Sequence, residues 1–442
     1  MSKIIVLGGG ESGVGAALLA KSKGFDVFLS DQGTLKEAFK KTLSDHNIRF
    51  EEGQHTLEEI LNANEVIISP GIPEKNEVVK KIKEKHIPLI SEIEFAVRYT
   101  SAKIIAITGS NGKTTTTLLT YHLLKEAGYL VGLAGNIGQS FAKQVLENNH
   151  EYYVLEISSF QLDRCISFSP DVAILLNITP DHLDRYEYKF ENYIASKFRI
   201  FQNADLTKTC IFWEDDEVIQ ANKKGIPSSH FSTISSKNNH SDAFISADKI
   251  TLKTGEIDLT TAPIQGPHNA INMSAAILAA QSVGISLDKI KELLPTFHNA
   301  PHRLEPCGLS NGVRFVNDSK ATNVDAVYYA LNSFTKPIIL MMGGVDKGNE
   351  YEVLDQLVKD KVKGLICLGK DNEKLMTHFS GICEAIFSTD DLQVAVQKSL
   401  EWGVDGDVVL LSPACASFDL FKNYEDRGDQ FKQTVKQLTH GN

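Results

Sequence analysis

The segment Gly109-Ser110-Asn111-Gly112-Lys113-Thr114-Thr115 packs two glycines, a lysine and two threonines into seven residues, directly after the apolar run "KIIAIT". Behind it, Leu119, Leu123, Leu124 and Ala127 share one helical face. The combination suits a phosphate. Backbone N–H groups and a helix dipole surround its oxygens, Lys113 reaches β- and γ-phosphates, and the Thr114 hydroxyl can hold Mg²⁺. The spacing departs from G-x-x-x-x-G-K-[ST], but the mechanics survive. A second glycine loop, "LGGGESGVG", follows the apolar Ile4–Leu7 and spaces Gly8, Gly10 and Gly13 as a pyrophosphate cradle would, with Asp31 placed to hold a ribose. Alone, that loop fits a nicotinamide or flavin cofactor, another nucleoside diphosphate, or only a tight strand-to-helix turn. A dehydrogenase has no use for a γ-phosphate clamp, whereas an enzyme that spends ATP to join two molecules needs both an ATP loop and a separate substrate site. The first loop therefore reads as a holder of substrate.

Mg²⁺ needs hard oxygen ligands beyond Thr114. In "YYVLEIS" a carboxylate, Glu156, stands near the end of an apolar strand, where burial without a partner would be costly; the alternative is a solvent-facing strand residue. Past the next apolar strand, "TPDHLDR" brings Asp181, His182, Asp184 and Arg185 together, which suits a metal or phosphate contact. Lys197 and Arg199 in "YIASKFRIF" read, from local pattern alone, as a snorkelling pair on an amphipathic surface.

A chain of 442 residues is long enough for about three domains. Short apolar runs alternate with helical patterns throughout, predicting an α/β protein of mostly parallel sheets: a Rossmann-like domain over 1–94, a central P-loop-type domain over 95–297, and a second Rossmann-like domain over 298–442. Asn238–Asp242 reads as a surface loop of the middle domain. The net charge of −11 argues against a nucleic-acid surface. No apolar run of membrane-spanning length and no secretory h-region is visible, so a cytoplasmic location without membrane association is expected. The six scattered cysteines form no C-x-x-C pair and read as reduced thiols.

Taken in order, "GSNGKTT", "GNIG", "LEISSFQL", "TPDHLDR", "YIASKFRI", "GPHNAINMSAA", "APHRLE", "NDSKATN" and "SPACASFDLFKNYEDRGDQF" resemble the motifs of the Mur ligases, the ATP-dependent amino-acid ligases of peptidoglycan precursor synthesis. Within that family, "NDSKATN" and "SPACASFD" resemble the branch that adds D-glutamate to UDP-N-acetylmuramoyl-L-alanine. The resemblance spans essentially the whole chain. It implies an N-terminal domain for the uridine diphosphate, a central ATPase and a C-terminal amino-acid domain, with an acyl phosphate and then a tetrahedral intermediate on the reaction path.

The resemblance also assigns residues. Lys113, His182, Lys197 and Lys320 fall on catalytic positions. Gly109, Ser110, Asn111, Gly112, Lys113, Thr114, Thr115, Asn269, Asn272, Arg303 and Asp318 fall on the ATP site. Gly10, Ser12, Gly13, Asp31, Ser69, Gly71, Asn136 and Ser158 fall on the UDP-substrate site. Lys320, Thr322, Lys347, Ser417 and Tyr424 fall on the D-glutamate site, Tyr424 standing where the family often has Phe. Thr114, Glu156, His182 and Lys197 fall on the metal sites, Lys197 as a carbamate, since a bare ammonium would repel Mg²⁺. A monomer is expected. The competing readings are another amino-acid ligase with the same ATP machinery, a nicotinamide oxidoreductase, and a non-catalytic nucleotide-binding module.

Overall fold

The computed structural model describes residues 2–224, 226 and 231–439. Its strands form three sheets. The first contains β1 (Lys3–Leu7), β2 (Asp26–Asp31), β3 (Arg49–Glu52), β4 (Glu65–Ile68) and β5 (Leu89–Ser91), all parallel in the order β3-β2-β1-β4-β5. The order reverses beside β1, which is where open α/β sheets bind ligands.

The second sheet contains β6 (Lys103–Thr108), β7 (Val131–Gly135), β8 (Tyr152–Glu156), β9 (Val172–Leu175), β10 (Thr209–Trp213), β11 (Phe231–Ser235), β12 (Ala243–Ile245), β13 (Lys249–Leu252) and β14 (Gly255–Asp258). It runs β14-β13-β12-β11-β10-β9-β6-β8-β7, parallel from β7 to β12, with β13 and β14 added as an antiparallel meander. The third contains β15 (Glu305–Ser310), β16 (Val313–Asn317), β17 (Ile338–Met342), β18 (Val362–Leu368), β19 (Ile386–Thr389) and β20 (Val408–Leu411), in the order β15-β16-β20-β17-β18-β19. Only the β15/β16 hairpin is antiparallel there.

The chain condenses into two compact units, Met1–Ala262 with Ile271–Phe297, and Pro263–Ala270 with His298–Asn442. The first unit holds two sheets because they share a core. Ile4, Val6 and Leu19 of the N-terminal segment, Phe95 of the connector and Phe141 and Leu155 of the central segment belong to one buried cluster. Close approach makes this possible: a Cβ on Gly15, in the helix Glu11–Ser22, would sit 2.0 Å from Ser140 Oγ. The connector helix Glu92–Val97 is clamped at two points. Glu92 Oε1 accepts hydrogen bonds from Ser140 Oγ and Ala142 N, both at 2.7 Å, and Glu94 accepts from the backbone N–H groups of Ile166, Ser167 and Phe168.

In the second unit, β17 is buried along its whole length. Ile338, Leu340 and Met342 enter the core on one face of the sheet, and Ile339 and Met341 enter the core on the other. A continuous apolar run is what a parallel strand covered on both faces requires. All six cysteines are free thiols, and burial pushes those of Cys165, Cys307 and Cys367 up to about 12. Among the described residues, no helix is long and apolar enough to cross a membrane.

Candidate functional site

The phosphate loop leaves the C-terminal end of β6, in the middle of the second sheet. Gly109 (φ 155°) and Gly112 (φ 85°) adopt backbone conformations that side chains disfavour, and a Cβ on Gly112 would lie 2.3 Å from Asn272 Oδ1. The loop is pinned from outside. Ser110 N donates to Asn177 O (2.9 Å), Asn111 N to Asn177 Oδ1 (2.8 Å), and Ser110 Oγ to Thr179 O (2.9 Å). The helix Lys113–Glu126 begins at once, with Thr114 and Thr115 buried in its first turn and Leu119, Leu123 and Leu124 fully buried behind.

Lys113 Nζ folds back onto the loop, donating to the carbonyls of Gly109 (2.7 Å) and Ser110 (2.9 Å). Lys197, near the end of the helix Phe190–Phe198, is 1 % exposed and reaches the same Gly109 carbonyl at 2.9 Å. Snorkelling therefore does not describe this pair: Lys197 is interior because its helix packs against the loop. Arg199 turns its guanidinium onto the carbonyls of Leu162 and Cys165 at the end of the helix Ser159–Leu162. Burial, reinforced by the neighbouring Lys113 charge, drives the Lys197 amine well below the usual lysine range against the pull of Asp181, Asp163 and Glu156.

Glu156 ends β8 and is 2 % exposed. One oxygen accepts from Asn136 Nδ2 at 2.8 Å; the other, Oε2, is buried without a hydrogen-bond partner. Asn136 N also donates to Glu156 O (2.8 Å), so this residue orients the carboxylate. His182 is half exposed in a left-handed conformation (φ 53°), its ring 5.2 Å from that of Phe160 and its Nε2 3.5 Å from Asp181. Among the described residues no three His, Cys, Asp or Glu side chains converge, so the expected metal set depends on Thr114 and Lys197. The chemistry of Glu156 does fit a hard cation: a buried carboxylate oxygen with an unmet acceptor, held in place by an amide.

The first glycine loop is equally constrained. Gly8 (φ 95°) faces Ser69 Oγ, a Cβ on Gly13 would collide with Gly8 O at 1.9 Å, and the helix beginning at Glu11 has no side-chain cap on its first N–H groups. The two oxygens of Asp31 accept from Gly9 N and Gly33 N and tie the loops after β1 and β2 together. A narrow cleft opens beside Ser12 and Ser69 and is lined across from them by Phe160, Gln161, Arg164 and Arg185. Arg185 stacks on Phe160 (4.4 Å) and donates to Pro70 O (3.3 Å), next to Gly71. Ser158 forms a capping box with Gln161 at the head of the helix Ser159–Leu162.

In the second unit, candidate residues gather at the C-terminal ends of β16, β17 and β20. Asp318 is buried, accepts from Leu304 N (3.2 Å) and Ser412 Oγ (2.9 Å), and burial pushes its carboxyl up to about 6 despite the Arg303 guanidinium nearby. Lys320 Nζ lies 5.6 Å from the Tyr424 ring, Thr322 N bonds Lys320 O, Ser417 is buried and Lys347 is exposed. Asn269, counted with the second unit, and Asn272, counted with the first, are both buried on the helix Pro267–Ser282, where Asn269 Nδ2 donates to Gln265 O.

The fold and site define an α/β protein built around a P-loop-type phosphate site. The MurD N-terminal domain, the Mur ligase middle domain and the Mur ligase glutamate ligase domain match residues 3–78, 107–280 and 302–415 in turn. The chain belongs to the Mur ligase family. It is 52 % identical to the UDP-N-acetylmuramoylalanine–D-glutamate ligase of Cytophaga hutchinsonii, with 99 % of each chain covered, and 48 % identical to the protein of that name from Bacteroides fragilis, covering 99 % of this chain and all of the relative. Solved structures share the fold at lower identity. A MurF ligase from Thermotoga maritima in complex with ADP superposes with a TM-score of 0.66 (17 % identity, 93 % and 95 % covered). A pseudomurein peptide ligase type C from Methanothermus fervidus gives 0.63 (19 % identity, 99 % and 100 % covered).

Sequence reasoning missed Glu92, Glu94 and Arg427. The first two were visible as acids in the apolar segment "SEIEFAV"; Arg427 carried no local signal, because its burial depends on loops far away in sequence.

Proposed function

We propose that this protein is an ATP-dependent ligase that joins D-glutamate to UDP-N-acetylmuramoyl-L-alanine, releasing ADP and phosphate. The observation that carries the reading is the end-to-end likeness to relatives named for that activity, with the phosphate loop and its two lysines in place.

In this reading, the loop from Gly109 to Thr115 cradles the triphosphate, and Lys113 swings from the loop carbonyls to the β- and γ-phosphates. A carboxylate oxygen of the substrate attacks the γ-phosphorus and ADP leaves. The nitrogen of D-glutamate then attacks the acyl carbon, loses a proton, and phosphate departs with the electron pair of the broken C–O bond. Thr114, Glu156 and His182, together with Lys197 as a carbamate, would hold Mg²⁺, which supplies charge neutralisation at the phosphates when bound. The depressed Lys197 amine supports the carbamate, since only a neutral amine adds CO₂. The Gly8–Gly13 loop and the cleft beside Ser69 and Arg185 suit the nucleotide end of the substrate, and Lys320, Thr322, Lys347, Ser417 and Tyr424 suit the amino acid, whose two carboxylates call for cationic partners.

The test is an amino-acid panel with purified protein, ATP, Mg²⁺ and UDP-N-acetylmuramoyl-L-alanine. Phosphate release is expected with D-glutamate. Equal turnover with L-lysine or diaminopimelate, or none with D-glutamate, would sink the assignment.

A further inference from the structure

Arg427, on the helix Tyr424–Thr439, is one of the largest fully buried side chains in the protein, at 2 % exposure. A buried guanidinium is expensive unless its donors are met, and an acidic partner is the usual remedy. Here the remedy is different. Nε donates to Ser319 Oγ (2.9 Å), Nη2 to Ser319 O (2.9 Å), both terminal nitrogens to Cys415 O (3.2 Å each), and Nη1 to Gly343 O (3.4 Å). No carboxylate pairs with it among the described residues, and burial lowers it to about 10.

The acceptors are not scattered. Ser319 follows β16, Gly343 follows β17 and Cys415 follows β20, three adjacent strands whose C-terminal ends form the crest of the third sheet. Each loop also carries a candidate amino-acid contact: Lys320 and Thr322 beside Ser319, Lys347 beyond Gly343, and Ser417 beyond Cys415. The fifth candidate joins through the same residue, because Ser319 Oγ donates to Tyr424 O at 2.8 Å. Backbone bonds bridge the loops in pairs, Ala414 N to Ala321 O (3.0 Å) and Val345 N to Ala416 O (2.8 Å), and the guanidinium reaches all three.

We propose that Arg427 is the positioning residue of the amino-acid site, its planar fork setting the spacing between the loops that present Lys320, Lys347, Ser417 and Tyr424. This rests on the proposed assignment of those residues to the amino-acid substrate. Arginine is needed for shape as well as charge: a lysine keeps the charge but ends in one compact ammonium that cannot span three carbonyls.

The experiment compares wild type with Arg427→Lys and with Ser319→Ala, which removes one acceptor and the link to Tyr424 while leaving the guanidinium. Both variants are checked for folding by circular dichroism and then titrated separately with each substrate. Losing hydrogen bonds to a charged group should raise KM for D-glutamate about tenfold or more in Arg427→Lys, and by a smaller factor in Ser319→Ala. KM for UDP-N-acetylmuramoyl-L-alanine should stay within about twofold, its proposed site being built from other residues. An unchanged D-glutamate KM in folded variants, or equal losses toward both substrates, overturns the proposal. If Arg427→Lys does not fold, Ser319→Ala decides. Wild type that ignores D-glutamate would refute the substrate assignment instead, and the same comparison is then made with the amino acid it does use.

Discussion

The ammonium groups of Lys113 and Lys197 converge on a single acceptor, the carbonyl of Gly109, at 2.7 and 2.9 Å. Two like charges at one oxygen in a buried setting favour neutrality of the more buried partner, and Lys197 is that partner. A neutral amine facing the phosphate loop can take up CO₂ to become an anionic oxygen ligand.

Lys197→Ala should therefore reduce turnover about 100-fold or more, a loss of about 2.7 kcal/mol of transition-state stabilisation, while leaving the protein folded. Short carboxylic acids should restore part of the activity by standing in for the carbamate. Steady-state assays with and without added acetate or formate check this. A fully active variant would show that the lysine has only a packing role.

Asn136 was assigned from the sequence to substrate contact, and in the structure it holds Glu156 Oε1 while Oε2 stays unpaired. If the free oxygen is for Mg²⁺, Asn136→Ala should weaken the metal dependence of activity by about 10- to 100-fold, as loss of an orienting partner does at metal sites. The check is a Mg²⁺ titration at saturating substrates. An unchanged half-saturation would mean that the carboxylate needs no such support.

Gly112→Ala probes the loop shape directly. At φ 85° an L side chain is strained by about 1–2 kcal/mol, and the new Cβ would press on Asn272 Oδ1 from 2.3 Å. A lower melting temperature and a raised KM for ATP are expected together. Wild-type values of both would show that the loop relaxes freely.

Much of this was legible in the sequence, for reasons that differ from element to element. Parallel strands such as "KIIAIT" and "PIILMM" announce themselves as unbroken apolar runs because both faces are covered. The phosphate loop was legible because its chemistry is local. The β15/β16 hairpin was not foreseen although Asn311-Gly312 (φ 49° and 78°) is a strong two-residue turn signal, since "EPCGLS" lacks the apolar alternation that would have flagged a strand. The merger of the first two sheets into one unit was hidden as well. It depends on Gly15 meeting Ser140 and on Glu92 meeting Ala142, contacts between residues 50 or more positions apart.

Glu92 offers the last prediction. Its carboxyl is buried, with Oε1 taken by Ser140 and Ala142 and Oε2 left without a hydrogen-bond partner; burial pushes it up to about 7, against the hydrogen bonds from Ala142 and Ser140 and with a further push from Glu11. A carboxyl whose folded value lies above its unfolded one binds its proton more tightly when folded. Its contribution to stability is therefore complete below about pH 4.5 and is lost as the pH rises through about 7. At pH 8 the wild-type protein holds a buried charge that Glu92→Gln does not. The variant should match wild type in melting temperature near pH 4.5 and exceed it at pH 8, by a margin equivalent to at most about 3 kcal/mol. Thermal unfolding at the two pH values checks this. A difference of the same size at both would show that the stability of the clamp is not linked to ionisation of Glu92.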